Sequence, residues 1–373
     1  ILTDAQFDLA VVKGADFSNS GLMKERLYET RSYIDKDMGA INLSRLNLQG
    51  VNFAAFSLGA ARFDGADLTS ANFERTVFTN TSFDGALIDA ANFSRSNFSM
   101  ELLKQTQNYH DKRLLKTDLS YLDFEDADFT GFTVEVVTFN HSNLQGVDFS
   151  GATLSGTSFN LANIKDANFS DSDLCARQFY ESYNYQNNDL GRVNLSRVNL
   201  SGWKLCDRTL RECTFSGADL TGTNLENSDL RNSDLSSTIG QARIKNTIGA
   251  DGVVRNADLD DKYGYLKIGR YEPLDAKIAE ADVLIAANAT LTLAAGARLD
   301  ITDGKALTLS STGNLVFEFD SEIAPLPNAC VGQIHVSAQA GFALENGFTL
   351  IVNDAFHPQS VITVELIKSD EGA

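Results

Sequence analysis

Residues 61–98 read ARFDGADLTSANFERTVFTNTSFDGALIDAANFSRSNF, and their large apolar residues fall at every fifth position: Phe63, Leu68, Phe73, Phe78, Phe83, Ile88, Phe93 and Phe98. A helix would smear a period of five around its circumference, and a straight strand would alternate it between faces. Two positions before most of these centres stands a small residue (Ala61, Ala66, Ala71, Ala86, Ala91), with Asp or Asn often between, as in Ala66-Asp67-Leu68. In, out, in over three residues is strand geometry with the middle side chain in water. The next two positions favour Ser, Thr, Gly, Asn and Arg, residues suited to a corner. A chain that turns every five residues with one face inward coils into a tube.

The same phase extends outward in both directions. It runs from Phe7 to Leu27, from Met38 to Leu103, from Leu114 to Phe179 and from Leu190 to Leu235, with 43 centres in all. All four prolines (Pro273, Pro325, Pro327, Pro358) lie beyond residue 240, as a wall that needs every N–H for bonds between coils requires. The tandem motif A-[DN]-[LF]-x-x closely resembles the pentapeptide-repeat family over about 230 residues. That resemblance implies an all-β fold, a right-handed quadrilateral β-helix with four pentapeptides per coil. Forty-three centres then make about eleven coils, roughly 50 Å long at about 4.8 Å per coil.

The phase breaks three times by the same amount, at 27–38, 103–114 and 179–190, each an eleven-residue step and each 76 residues from the next. Thr30, Thr106 and Ser182 correspond across the breaks, as do Tyr33, Tyr109 and Tyr185. The chain is therefore an array of 76-residue units, each with fourteen pentapeptides and one break. A break is either two pentapeptides with a one-residue bulge or a short helical turn, since it lacks Gly and Pro. Six of the ten tyrosines (Tyr28, Tyr33, Tyr109, Tyr180, Tyr183, Tyr185) cluster there. They form the candidate contact surface for protein or sugar; the alternative is that they pack over a disrupted coil. These cassettes also resemble those of large exported proteins of planctomycete-type bacteria, which join such repeats to a β-rich C-terminal region.

The organisation expected is a solenoid over 1–239, a transition over 240–288 and a smaller β-rich C-terminal domain over 289–373. In the last, Leu291 and Leu293, Leu299 and Ile301, Leu307 and Leu309, and Leu315, Phe317 and Phe319 alternate, with turn signals eight residues apart. Later strands are expected at Ile334–Val336, Phe348–Val352 and Val361–Ile367. Successive hairpins of a sandwich, or the sides of a second irregular β-helix, both fit; the preferred reading is a sandwich-like or solenoid-capping module that closes the rod's lower end.

Composition narrows function. A formal charge of −19 without a basic patch argues against nucleic-acid binding, and no apolar run is long enough to span a membrane. Cys175, Cys206, Cys213 and Cys330 have no zinc spacing, although a disulfide among the first three is conceivable. His110, His141, His335 and His357 form no metal or catalytic pattern. Asp251-Gly252 with Asp258, Asp260 and Asp261 hints at a calcium loop but lacks the alternating ligands before the glycine. Asn92-Phe93-Ser94 and Asn97-Phe98-Ser99 match glycosylation sequons only because the repeat generates them. No catalytic, cofactor or metal residue is assigned. Ile1 in place of Met points to a longer precursor, through a removed secretory signal or trimming. The leading expectation is a non-catalytic structural or interaction scaffold, extracellular or at a cell surface, contacting an unidentified protein or glycan. The alternatives are a cytoplasmic acidic DNA mimic that inhibits an enzyme such as gyrase, and a carbohydrate-active β-helix.

Overall fold

The computed structural model describes residue 2, residues 5–255 and eleven strand segments between Tyr265 and Lys368; of the side chains in those segments it describes Ala276, Leu291, Thr292, Leu293 and Leu299. Internal contacts divide the chain into two units, Ile1–Asn199 and Leu200–Ala373.

In the first unit the expected geometry recurs side after side. The outward residue of each side forms a parallel bridge to the residue twenty positions on, as in Asn52↔Asn72↔Asn92 and Asp67↔Leu87. Four pentapeptides thus close one coil. The centres are buried, with Phe53, Phe63, Phe73, Phe83 and Phe93 fully so, and the small positions Ala61, Ala66, Ala86 and Ala91 lie beneath them. Rings one coil apart stack: Phe73 on Phe93 at 5.1 Å, Phe63 on Phe83 at 5.2 Å and Phe129 on Phe149 at 5.2 Å between centroids. Each fully buried Leu or Phe contributes about 1.5–3 kcal/mol before chain entropy is subtracted.

The corners have a common construction. The small residue's N–H donates back to the preceding centre's carbonyl, as Ala61 to Leu58 and Ala66 to Phe63. The second residue after the centre has positive φ, as a type II turn requires. Gly65 and Gly131 meet this freely, but Ala55, Arg75, Arg95, Tyr121 and Val136 adopt it too. The outward Asp or Asn then fastens the corner, because its Oδ1 accepts the N–H two residues on: Asp67 from Thr69, Asn72 from Glu74, Asp128 from Thr130. Where Thr or Ser fills the small position, its hydroxyl donates either to a carbonyl of the coil before, as Thr76 to Phe53 and Thr157 to Val134, both at 2.6 Å, or to the preceding centre's carbonyl, as Ser96 to Phe93 and Ser233 to Leu230. The ladders of Asp and Asn are thus corner braces.

The breaks are helical rather than bulged. Each holds two short helices: α1 (Lys24–Tyr28) and α2 (Arg31–Ile34), α3 (Met100–Leu103) and α4 (Gln107–His110), α5 (Ala176–Tyr180) and α6 (Tyr183–Gln186). The coil that contains a break takes 26 residues instead of twenty, as the bridges Asp16↔Asn42, Asn92↔Asp118 and Asn168↔Asn194 record.

In the second unit the twenty-residue register continues from Lys204↔Asn224 to Asp219↔Ile239, then shortens by one at Asn224↔Arg243 and Asp229↔Ile248. One of these coils holds a buried charge cluster. Arg231 is fully buried and donates to both oxygens of Asp229, while Arg211 donates to Asp229 Oδ2 at 2.7 Å. Burial opposes ionisation of Asp229, but the hydrogen bonds and charges of Arg231 and Arg211 outweigh it and hold its pKa below the usual value.

Of the two forms expected, the sandwich of hairpins is corrected by strand direction. Tyr265–Ile268, Thr290–Leu293, Asn314–Glu318 and Thr349–Asn353 form one sheet; Ala276–Ile278, Arg298–Ile301, Gln333–Val336 and Ile367–Lys368 form a second; Val283–Ile285, Ala306–Leu309 and Gly341–Leu344 form a third. Every pair in these sheets is parallel, and each strand pairs with the third one after it, as Leu291 with Leu315 and Leu299 with Ile334. Hairpins would pair neighbours antiparallel. The eight-residue spacing is instead that of three sides per turn in a second parallel winding. The expected strand Val361–Ile367 lies almost wholly outside the described residues.

Candidate functional site

Each break solves the same bonding problem. The helical turn carries away the carbonyl that would receive an N–H from the previous coil, and a side chain replaces it. Ser32 Oγ accepts the Val12 N–H at 2.9 Å, Asn108 Oδ1 that of Ile88 at 2.8 Å, and Asn184 Oδ1 that of Ile164 at 2.6 Å. All three acceptors are buried. They stand five positions after Leu27, Leu103 and Phe179, so a pentapeptide centre has become polar. This role was missed in the sequence; continuing the period of five through the break would have exposed it.

The residues that correspond across the breaks cap the second helix. Thr30, Thr106 and Ser182 are buried, accept the N–H of Tyr33, Tyr109 and Tyr185 at 3.1, 3.2 and 3.3 Å, and each donates at 2.7 Å to the Leu27, Leu103 or Phe179 carbonyl. This is side-chain N-capping repeated three times.

Five of the six candidate tyrosines are half-buried, and Tyr183 alone of them is exposed. The Tyr33 hydroxyl donates to the Asn52 carbonyl at 2.5 Å and that of Tyr109 to the Asp128 carbonyl at 3.2 Å, each reaching the next coil. Their rings lie 4.8 Å from Phe56 and 5.1 Å from Phe132, two bulky residues at small positions 76 apart. Tyr28 packs on Tyr33 at 4.8 Å and Tyr180 on Tyr185 at 4.6 Å. Burial, with the neighbouring Tyr28, pushes the Tyr33 hydroxyl up to about 12.

The array also fixes where the breaks lie in the first unit. Thirteen five-residue steps and one break make fourteen sides from each break to the next, and on a four-sided coil these leave a half turn over. The first and third breaks therefore share one edge, and the second occupies the opposite edge. Between the first and third, the wall passes through the bridges Asn52↔Asn72↔Asn92↔Asp118↔Thr138↔Ser158. Leu27 and Phe179 are seven coils apart, about 34 Å.

Along that edge the positive-φ corners are Ala55, Arg75, Arg95, Tyr121, His141 and Leu161. The Arg95 guanidinium lies 3.7 Å over the Tyr121 ring, and His141 stacks on the ring's other side at 4.5 Å and 9°. His141, part of no metal or catalytic pattern in the sequence, thus joins a stack whose signal is the spacing 75, 95, 121, 141, one coil at a time. The opposite edge carries Gly65 and Gly85 before the second break and Gly131 and Gly151 after it.

The other candidates fall into place singly. Cys175 and Cys206 are free thiols, and Cys213 is buried at a small position; Cys330 lies outside the described residues. His110 contacts the Lys104 carbonyl; His357 lies outside the described residues. Asp251 braces a hairpin by accepting the Val253 N–H and pairing with Arg255 at 2.6 Å, while Asp258, Asp260 and Asp261 lie outside the described residues. The Asn97 amide holds the Phe78 backbone through both its atoms. Among the described residues no group of three or more His, Cys, Asp or Glu could hold a metal ion, and no helix is long and apolar enough to cross a membrane. In the second unit a cavity of about 720 Å³ opens beside Leu220, Leu225, Leu230 and Leu235, one coil's inward residues.

Comparison with curated proteins gives no match. Among solved structures, HetL, a pentapeptide repeat protein involved in heterocyst differentiation regulation from the cyanobacterium Nostoc sp. strain PCC 7120, is 20% identical, with 62% of this chain and 98% of that one covered at a TM-score of 0.27. A pentapeptide repeat protein from the Arabidopsis thaliana thylakoid lumen is 22% identical, with 34% and 69% covered and a TM-score of 0.19. QnrB1, a plasmid-mediated fluoroquinolone resistance protein, is 20% identical, with 41% and 86% covered and a TM-score of 0.17. The family model for pentapeptide repeats matches residues 61–99, 139–176 and 204–237 in eight copies, and such repeats imply a right-handed β-helix. That match falls on residues that build the twenty-residue coils, and the chain carries pentapeptide repeats of that family.

Proposed function

We propose that this chain is a non-catalytic scaffold, exported or held at a cell surface, whose walls and edges present side chains to a protein or glycan partner. One observation carries the reading. The polar side chains that correspond across the three breaks, Thr30, Thr106 and Ser182 with Ser32, Asn108 and Asn184, turn inward onto backbone of their own or the previous coil, whereas outward positions differ from copy to copy: Arg31, Gln107 and Tyr183, or Ile34, His110 and Gln186. A constant interior under a variable exterior is the arrangement of a display surface. The six tyrosines divide within it: Tyr33 and Tyr109 brace the next coil, and Tyr183 is the one of the six offered outward for contact.

Protease treatment of intact cells tests the location: the chain should be digested without lysis, and protection until lysis would defeat the export reading. A glycan array followed by product analysis should give binding without cleavage. The DNA-mimic reading has the charge of −19 in its favour, but the outward ladders are mixed, as in Asp16, Asn42, Arg62 and Ser82 down one wall. A supercoiling assay at micromolar protein separates the two, with no inhibition expected.

A further inference from the structure

We propose that copies of this chain associate side by side, the second break of one copy seated between the first and third breaks of the next. The proposal adds to the scaffold reading and stands or falls separately from it.

The half-turn alternation supplies the geometry. The second break lies on the opposite edge from the other two and three and a half coils from each, so it is level with the middle of the gap they bracket. A neighbour displaced sideways, without any shift along the axis, therefore faces that gap with its second break. The gap spans about 34 Å, and a helical break about 10–12 Å across fits within it.

The chemistry at mid-gap is Arg95 over Tyr121, both exposed, with Asp123 beside them. The incoming break exposes Lys104, His110 and Asp111. Among the described residues neither Arg95 nor Asp111 is in an ion pair, and the same holds for Lys104 and Asp123. Two pairs of opposite charge, Arg95 with Asp111 and Asp123 with Lys104, are thus brought to one level from opposite edges. The glycine corners that flank the second break leave room for Arg75 and His141 on either side of the contact. Because the two surfaces differ, the contact is heterologous, and by translation it gives open ribbons rather than closed dimers.

Sedimentation velocity on the full chain, from about 1 to about 100 μM, tests this in a range suited to a small polar interface. The wild type should form oligomers that grow with concentration and dissolve in high salt. Arg95→Glu alone and Asp111→Arg alone should each weaken association at least tenfold. An equimolar mixture of the two variants should restore it, since each break then meets a gap of opposite charge. Circular dichroism and melting of each variant check that the coils are intact. A wild type that stays monomeric throughout overturns the proposal, as does association that neither variant alters or that mixing fails to restore.

Discussion

A plain coil and a broken coil of the first unit do the same job with different means. In the plain coil, the N–H groups of the wall find carbonyls one coil away, nineteen or twenty-one residues along the chain, as Phe53 to Asn72 and Asn72 to Val51, and the side chains have only to be apolar inside and small or polar elsewhere. In the broken coil, six extra residues coil into helix, and a buried side chain must stand in for the missing acceptor. Backbone pairing tolerates almost any sequence of the right pattern; a stand-in tolerates very little. The difference explains why Thr30, Ser32 and Tyr33 have counterparts in every unit while the residues around them drift.

The largest expected effect marks where a plain coil stops being tolerant. Asp229 serves Arg231 and Arg211 inside the second unit. Asp229→Asn removes the carboxylate they share and should cost about 3–5 kcal/mol, because a buried charge loses its partner. Replacing Asp229 and Arg231 together by apolar residues should recover most of it. Chemical denaturation of the single and double variants measures both, and a double variant no better than the single would show that the cluster is not a unit.

Next comes the direct contrast. Asn108 accepts the Ile88 N–H and donates to Asp89 at 2.7 Å, whereas Asn72 braces an outward corner. Asn108→Leu leaves a buried N–H without an acceptor and should cost about 2–3 kcal/mol; Asn72→Leu should cost about 1 kcal/mol or less. Equal losses would mean that the stand-in is no more demanding than a corner brace.

How much of this was legible in the sequence follows from how local each feature is. The coil period, the buried Phe and Leu centres and the inward alanines are set within five residues, so they could be read directly. The 76-residue unit was legible for the same reason, since it only counts coils. The helical content of the breaks was not, because eleven residues without Gly or Pro suit a bulge as well as a helix. Asn108 was hidden by its polarity: at an inward position it looks like the absence of a centre. In the C-terminal region, alternation identifies strands such as Leu291–Leu293 but is silent on their partners. The repeat of Leu291 at Leu315 was the available clue to a parallel winding.

Corners offer a smaller effect of opposite sign. Val136 is exposed, β-branched and held at φ 57°, whereas Gly131 meets the same need at φ 66° with nothing within 4 Å of where a β-carbon would stand. Val136→Gly should therefore stabilise by up to about 1 kcal/mol and Gly131→Val should destabilise by about 1–2 kcal/mol, backbone strain outweighing the opposing change in unfolded-chain entropy. Thermal melts of both decide it; a destabilised Val136→Gly would mean that the valine's packing outweighs its backbone strain.

The smallest effect concerns acid, and it separates the two residues that share the bracing role. Asp128 accepts from the Thr130 hydroxyl and N–H, and these bonds hold its pKa below the ordinary carboxylate value; at Asp67, burial opposes ionisation, but bonds from Gln49 and Thr69 prevail in the same direction. A folded pKa below the unfolded one means that these braces stabilise fully above the unfolded value, near 3.9, and that the contribution fades as pH falls through the folded value. Asn braces the same kind of corner with the same oxygen, as Asn72 and Asn168 do, but cannot be protonated there. Asp67→Asn with Asp128→Asn should leave the melting temperature nearly unchanged at pH 7 and make its decline below pH 4 shallower. A steeper decline, or a large loss at pH 7, would mean that the charge rather than the oxygen fastens the corner, and that Asp and Asn are not interchangeable along the wall.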